Sequence, residues 1–218
     1  MNDLELKYYD FLISENEKYN LTNITSYEEA EVKHFIDSYK LGECFDLTKD
    51  ITLCDVGSGA GFPSIPLKLK YPNLKIVIIE SMKKRCDFLQ KLIDLLNLED
   101  VKIICARCED LIDLREQFDI VTARAVAQLP ILMEICSPLV KVGGFFAPLK
   151  GSNFEEEIIL ASNASRLLNL KLIDVYKYEL ISNNGNSYGH HAIIKYEKVD
   201  KTDIKYPRPF GQIKKKSL

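Results

Sequence analysis

The run Asp55-Val56-Gly57-Ser58-Gly59-Ala60-Gly61-Phe62-Pro63 concentrates the residues best suited to holding a ligand. It continues directly from Ile51-Thr52-Leu53-Cys54-Asp55-Val56, an apolar, β-branched stretch that reads as a strand. Glycine at a strand-to-helix turn lets the backbone curl tightly and approach a ligand with no Cβ in the way. The spacing is G-x-G-x-G, not the G-x-G-x-x-G of dinucleotide binders. No lysine–hydroxyl pair follows it, which excludes a phosphate-gripping P-loop. Glu80 closes the next predicted strand, 19 residues beyond Gly61, where a carboxylate can accept both hydroxyls of a ribose. Glu109 follows the third strand, within Ala106-Arg107-Cys108-Glu109-Asp110, and can frame an adenine. Three such features at successive strand ends imply an adenosine-containing ligand along the switch-point crevice of a sheet. With an acid for ribose and no grip for phosphate, the pattern points to S-adenosylmethionine rather than a nucleoside triphosphate or NAD.

The elements that must position these residues alternate. Residues 4–18 read as an amphipathic helix with Leu4, Tyr8, Phe11 and Leu12 on one face, and a second helix is expected over 27–41. Polar, turn-forming Tyr19-Asn20-Leu21-Thr22-Asn23 separates them. After the glycine loop a helix runs to about Tyr71, followed by the strand Lys75–Glu80. Residues 83–97 carry Phe88, Leu89, Leu92, Leu95 and Leu96 at core-facing helical spacing. Further strands are expected at Val101–Cys105, Phe118–Ala123 and Phe145–Leu149, with helices around Leu129–Val140 and Glu155–Leu168. Two last strands, Leu172–Leu180 and His191–Glu197, flank the hairpin-like Ser182-Asn183-Asn184-Gly185-Asn186. Strand–helix alternation requires crossovers, hence a mainly parallel, Rossmann-like α/β sheet covered on both faces. The boundaries read as a helical extension over 1–48, a Rossmann-like core over 49–200 and a basic tail over 201–218, one structural domain overall.

The 218 residues are 46% hydrophobic and 28% charged, enough to bury a sizeable core and unlike a disordered chain. No apolar run is long enough to span a bilayer, and the acidic start Met1-Asn2-Asp3-Leu4-Glu5 does not read as a signal peptide, so a cytoplasmic protein is expected. The six cysteines lack a disulfide rhythm and read as reduced thiols. Cys105-Ala106-Arg107-Cys108 has no second pair to complete a zinc site, so no metal is expected. Net charge is −3, but unevenly placed: residues 1–50 carry −7 and residues 201–218 carry +5. That asymmetry can draw an anionic partner to one region, or it can mark a mobile, solvated tail.

Seven stretches together resemble one family. They are Asn20-Leu21-Thr22; Val32-Lys33-His34-Phe35-Ile36-Asp37-Ser38; Asp55 through Leu67; Glu80-Ser81-Met82-Lys83-Lys84-Arg85-Cys86-Asp87-Phe88-Leu89; Ala106-Arg107-Cys108-Glu109; Thr122-Ala123-Arg124-Ala125-Val126-Ala127; and Leu149-Lys150-Gly151. The chain is similar, from about residue 15 onward, to the bacterial 16S ribosomal RNA guanine-N7 methyltransferase G family, also called glucose-inhibited division protein B. The resemblance implies a class I S-adenosylmethionine-dependent methyltransferase. Its sheet would be mainly parallel and seven-stranded with an antiparallel closing hairpin. It also implies methylation of N7 of one guanosine in the decoding region, with 16S rRNA or the 30S subunit as partner and a monomer as the acting unit. Family cofactor contacts fall on Gly57, Phe62, Cys108, Glu109 and Arg124, with Glu80 in the ribose position and Gly59 and Gly61 in the same loop. One departure is visible: many members carry an arginine where this chain has Gly189-His190-His191-Ala192-Ile193-Ile194-Lys195. Histidine cannot replace it as a permanently charged fork.

Guanine N7 has a lone pair and no proton, so transfer from a sulfonium needs no general base. Alignment is then the main catalytic task, which can contribute roughly 7–11 kcal/mol. Arg124 and Lys150, both expected at carboxyl ends of strands, are the candidate positioners of the base. Candidate RNA contacts are His34 and Asp37, three apart on one helix face, together with Lys83, Lys84, Arg85, Lys214, Lys215 and Lys216. N7 lies in the deep groove of A-form RNA, so the target must sit in a loop or be presented by a folded particle. A methyltransferase for another substrate, a non-catalytic ribosome-assembly factor and an NAD-dependent oxidoreductase are the competing readings. The loop spacing speaks against the last.

Overall fold

The computed structural model describes residues 1–218. Helix α1 (Asp3–Tyr19) opens on a capping box: Asn2 accepts from the Glu5 N–H, and the Glu5 carboxylate accepts from the Asn2 N–H. It stops at Asn20, which takes the left-handed conformation. The expected second helix begins as α2 (Tyr27–Ala30) and continues as α3 (Asp37–Tyr39) and α4 (Leu41–Cys44). Its middle turn, Glu31–Ile36, is π-helical, which sequence periodicity does not reveal.

The core then alternates: β1 (Thr52–Val56), α5 (Ser64–Lys70), β2 (Lys75–Glu80), α6 (Lys83–Leu96), β3 (Val101–Cys105), β4 (Phe118–Thr122), α7 (Leu129–Cys136) and β5 (Val140–Phe146). After it come β6 (Leu149–Lys150), α8 (Phe154–Leu160), α9 (Ser162–Leu167), the long hairpin β7 (Leu170–Ile181) and β8 (Ser187–Lys198), and α10 (Phe210–Lys215). Strands β3-β2-β1-β4-β5 are parallel in that order, β8 joins β5 and β6 antiparallel, and β7 closes the edge on β8.

Eight strand segments fill the seven expected places, because β5 and β6 are one ribbon interrupted at Pro148, which has no N–H to donate. Across that break Ala147 N–H still donates to the Val121 carbonyl at 2.8 Å and Leu149 N–H to the Ala123 carbonyl at 3.0 Å. Two expectations need adjusting. The helix expected to reach Val140 ends at Cys136, since Pro138 follows and a short 3-10 turn leads into β5. The helix expected over 155–168 is broken at Ala161 into α8 and α9.

One core of 26 buried residues holds Tyr8, Leu12, Phe35 and Leu41 of the N-terminal helices against Phe88, Leu89 and Leu92 of α6. A second, of 25, includes Leu132 and Met133 of α7 together with Tyr206 and Ile213 near the C-terminus. Both end segments are therefore built into the cores. The basic end is not a free tail: the Arg208 guanidinium grips the fully buried Glu134 at 2.6 and 2.7 Å. Arg115 also donates to the Tyr206 and Thr202 carbonyls, and Lys214, Lys215 and Lys216 stay exposed on this anchored segment. Deleting it would open the second core and strand a buried carboxylate, so truncation at residue 205 is expected to cost several kcal/mol of stability, roughly 3–5 from the ion pair alone. Urea unfolding of the truncated chain measures this, and an unchanged midpoint contradicts it.

Candidate functional site

The glycine loop leaves the carboxyl end of β1, where β2 and β4 diverge to either side. Gly57, Gly59 and Gly61 have φ of +74°, +62° and +103°. A Cβ on Gly57 would lie 2.6 Å from Val126 Cγ2, so the loop after β4 rests directly on it. A Cβ on Gly59 would meet nothing within 4 Å, so the loop presents an open face of bare backbone there. The buried carboxylate of Glu80 stands over that face, accepting from the Gly59 N–H at 3.2 Å and the Met82 N–H at 2.9 Å. An open glycine cradle with a strand-end carboxylate at its lip fits the sugar and backbone-facing side of S-adenosylmethionine.

Beyond Val126 lies a cavity of about 590 Å3, lined by Lys33 and His34 of the π-helical turn, Asp37 at the start of α3, Arg124 and the following loop to Gln128, Lys150 and His191. Arg124 organises its inner wall. Its Nη1 donates to the Lys33 carbonyl at 2.7 Å and to Asp37 Oδ2 at 2.8 Å, while Asp37 Oδ1 accepts from the Tyr178 hydroxyl at 2.7 Å. Arg124 Nη2 reaches His34 Nδ1 at 3.3 Å. Arginine can only donate, so Nδ1 accepts and Nε2 carries the proton that faces Thr22 Oγ1 at 3.1 Å. Burial, with Arg124 beside it, pushes the His34 pKa down to about 3, so the ring is neutral. It stacks on Phe62 at 4.2 Å, with Tyr8 on another side of that phenyl ring at 5.0 Å. Elsewhere on the cavity wall Lys150 Nζ donates to the Ala127 carbonyl at 2.8 Å and to Glu157 Oε2 at 2.6 Å.

A family model described as rRNA small subunit methyltransferase G matches residues 1–182. The chain belongs to that family. Proteins named ribosomal RNA small subunit methyltransferase G resemble it closely: that of Staphylococcus saprophyticus is 46% identical, over 97% of this chain and 87% of its own length. That of Acholeplasma laidlawii is 45% identical, over 97% and 90%. Among solved structures, the YcgJ protein of Bacillus subtilis superimposes with a TM-score of 0.62 at 13% identity, covering 77% of this chain and all of that one. A Thermotoga maritima SAM-dependent O-methyltransferase gives 0.62 at 16%, covering 88% and 73%. These last two establish the fold. The enzyme is an S-adenosylmethionine-dependent methyltransferase of small-subunit ribosomal RNA.

Within this methyltransferase two groups of the residues singled out by sequence come together. Gly57, Gly59, Gly61 and Glu80 meet at the loop, whereas Arg124, Lys150, His34 and Asp37 meet at the cavity. His34 and Asp37 are buried and turned toward Arg124, not displayed outward. Phe62 sits in the aromatic stack and is only 3% exposed, so it is packed inside the protein and not displayed on the loop's open face. Cys108 turns into the second core and donates to the Ile135 carbonyl, while Glu109 faces Arg107 at 3.4 Å. Glu109 also lines a separate cavity of about 510 Å3 with Pro207–Gly211 of the C-terminal segment. Of the basic trio on α6, only Lys83 is open to solvent. Lys84 donates to the Tyr19 carbonyl at the end of α1, and Arg85 faces Glu80 at 3.6 Å. Sequence reasoning missed Ile24, Leu180 and Glu157 on the cavity wall, and gave His191 no ligand-side role. No cluster of three or more His, Cys, Asp or Glu is arranged to hold a metal ion, and no helix is long and apolar enough to cross a membrane.

Asp55, at the end of β1, is fully buried beneath the loop. One oxygen accepts from the Ser64 N–H, and the other has no partner. Burial raises its pKa to about 6. The folded enzyme thus holds this proton more tightly than the unfolded chain, so Asp55 contributes most below about pH 4 and loses that contribution as pH rises to about 6. Relative to wild type, Asp55→Asn is therefore expected to gain about 3 kcal/mol between pH 4 and pH 7. Urea unfolding of both proteins across that range tests it; a pH-independent difference would contradict it.

Proposed function

We propose that the methyltransferase places N7 of one guanosine of the 16S decoding region in the Arg124–Lys150 cavity, against a methyl donor held in the glycine-loop crevice. The carrying observation is the shared wall: Val126 lies over Gly57 on one side and lines the cavity on the other. When bound, S-adenosylmethionine supplies a sulfonium-activated methyl carbon, which the N7 lone pair takes in line as the carbon–sulfur bond breaks. Gly59 gives close backbone approach, Gly57 and Gly61 let the loop pack against Val126 and Tyr8, and Glu80, with one backbone donor on each oxygen and acceptor capacity left on both, receives the ribose hydroxyls. No side chain has to remove a proton, in keeping with a cavity whose buried histidine is neutral. Arg124 and Lys150 present donors along the cavity and leave N7 unprotonated and free. An enzyme of ribosomal RNA is proposed to work in the cytoplasm, where subunits assemble.

A target guanosine replaced by 7-deazaguanosine keeps O6 and its ring but lacks the N7 lone pair. Particles carrying it are expected to bind with unchanged affinity and accept no methyl group. Transfer to them would contradict N7 as the acceptor.

Lys83 and the anchored Lys214, Lys215 and Lys216 are proposed to hold flanking phosphates. Replacing the three C-terminal lysines by alanine is expected to reduce the slope of log affinity against log salt by about 0.7 for each phosphate left unneutralised. Filter binding between low and physiological salt measures it, and an unchanged slope removes these lysines from the interface.

A further inference from the structure

Glu157 belongs to the acidic run Glu155-Glu156-Glu157 of α8, which has the look of a solvated face. Its contacts say otherwise. Oε2 accepts from Lys150 Nζ and from the Leu129 backbone N–H, each at 2.6 Å. Leu129 opens α7, whose N-cap residue Gln128 makes no side-chain cap, so Glu157 satisfies an end-of-helix N–H from a neighbouring helix. Lys150 also donates to the Ala127 carbonyl at 2.8 Å. One carboxylate thereby fixes β6, the start of α7 and the far end of the loop that covers Gly57. The near end of that loop is held by Arg124, and Ala125 between them takes a φ of +56°, so the loop is held in a conformation it would not keep unaided. The Lys150 ammonium has three donors, of which two are engaged, and the residue lines the cavity.

We propose that Glu157 is a positioning residue that aims the remaining Lys150 N–H at O6 of the acceptor base and so selects guanine over adenine; this rests on the cavity being the acceptor site. Guanine offers an acceptor at position 6 beside N7, whereas adenine offers an amino donor there. An ammonium has no acceptor, so adenine in the same pose would set donor against donor in a partly desolvated pocket. Without Glu157 the ammonium loses its fixed direction and the loop loses its second anchor. Of the neighbouring cations, Lys33 is paired with Glu29 at 2.7 Å, and Arg124 has Nη1 on Asp37 and the Lys33 carbonyl and Nη2 toward His34.

The test uses 30S particles from a strain lacking the modification and matched particles with adenosine at the target position. Transfer rate, particle KM, cofactor affinity by calorimetry and melting temperature are measured for each variant. Glu157→Ala is expected to lower kcat about 100-fold, with cofactor affinity and particle KM changed less than about threefold. Glu157→Gln, which keeps an oxygen acceptor, is expected to recover about tenfold of that loss. Lys150→Met, which removes the donor itself, is expected to lose at least as much as Glu157→Ala, and the double variant to lose less than the product of the two, because both act through the one Lys150 donor. It is also expected to shrink the wild-type preference for guanosine over adenosine particles. A wild-type kcat in Glu157→Ala, or losses that multiply in the double variant, would overturn the proposal. Should Glu157→Ala fail to fold, a wild-type rate in Glu157→Gln overturns it equally. Wild-type enzyme that methylates no particle would instead remove the acceptor-site reading, and this inference with it.

Discussion

Gly57→Asp is expected to abolish methyl transfer by excluding the cofactor, while RNA binding survives. The substitution faces two obstacles at one atom. With φ at +74°, any L side chain costs about 1–2 kcal/mol. Its Cβ would also stand 2.6 Å from Val126 Cγ2, so the loop after β4 has to move to admit it. The added carboxylate then sits between the crevice and the acceptor cavity, where the methyl group has to pass. Cofactor affinity should fall at least 100-fold, about 2.7 kcal/mol. The exposed Lys214, Lys215 and Lys216 lie on the C-terminal segment packed against the second core and are untouched. Calorimetry with S-adenosylmethionine and filter binding with RNA separate the two effects. Retained transfer would mean that the cofactor does not lie on this loop.

Arg124→Ala is expected to damage both folding and transfer. From sequence, Arg124 reads as a candidate positioner of the base; the structure adds a second duty. Its guanidinium answers the carboxylate of Asp37, which is only 4% exposed, and holds the π-helical turn by the Lys33 carbonyl. Removing it leaves a buried charge with a single tyrosine hydroxyl, a loss of about 3–5 kcal/mol. The double variant Arg124→Ala/Asp37→Asn should regain much of that stability, because no uncompensated charge remains, yet stay inactive. Denaturant unfolding beside single-turnover transfer distinguishes the duties. Recovery of transfer along with stability would reduce Arg124 to a docking residue.

The sheet was legible because each parallel strand is a short apolar run ending in a turn, and each helix shows its own periodicity; β1, β2 and β3 lie within a residue of where the pattern puts them. The crevice was legible for a related reason: its glycines and Glu80 sit at strand ends, where spacing along the chain reports position in space. The cavity was not, since Lys33, Arg124, Lys150 and His191 come from four distant segments brought together by β-sheet closure and helix docking. The π-helical turn has no composition signal. Glu157 was hidden in a run of three glutamates, two of them exposed, where only the tertiary fold shows which one turns inward. The C-terminal segment misled because Tyr206 and Ile213 are isolated among charges, and two apolar side chains without periodicity give no hint that they complete a core.

The central claim is that N7 of a guanosine in small-subunit ribosomal RNA receives the methyl group. The most direct measurement incubates the protein and labelled S-adenosylmethionine with naked 16S rRNA and with 30S particles, both from a strain lacking the activity, and identifies the product nucleoside by mass spectrometry. The account predicts 7-methylguanosine at a single position of the decoding region, on at least one of the two substrates. Absence of label from both, while the cofactor still binds, would contradict it and leave the protein a methyltransferase for some other acceptor.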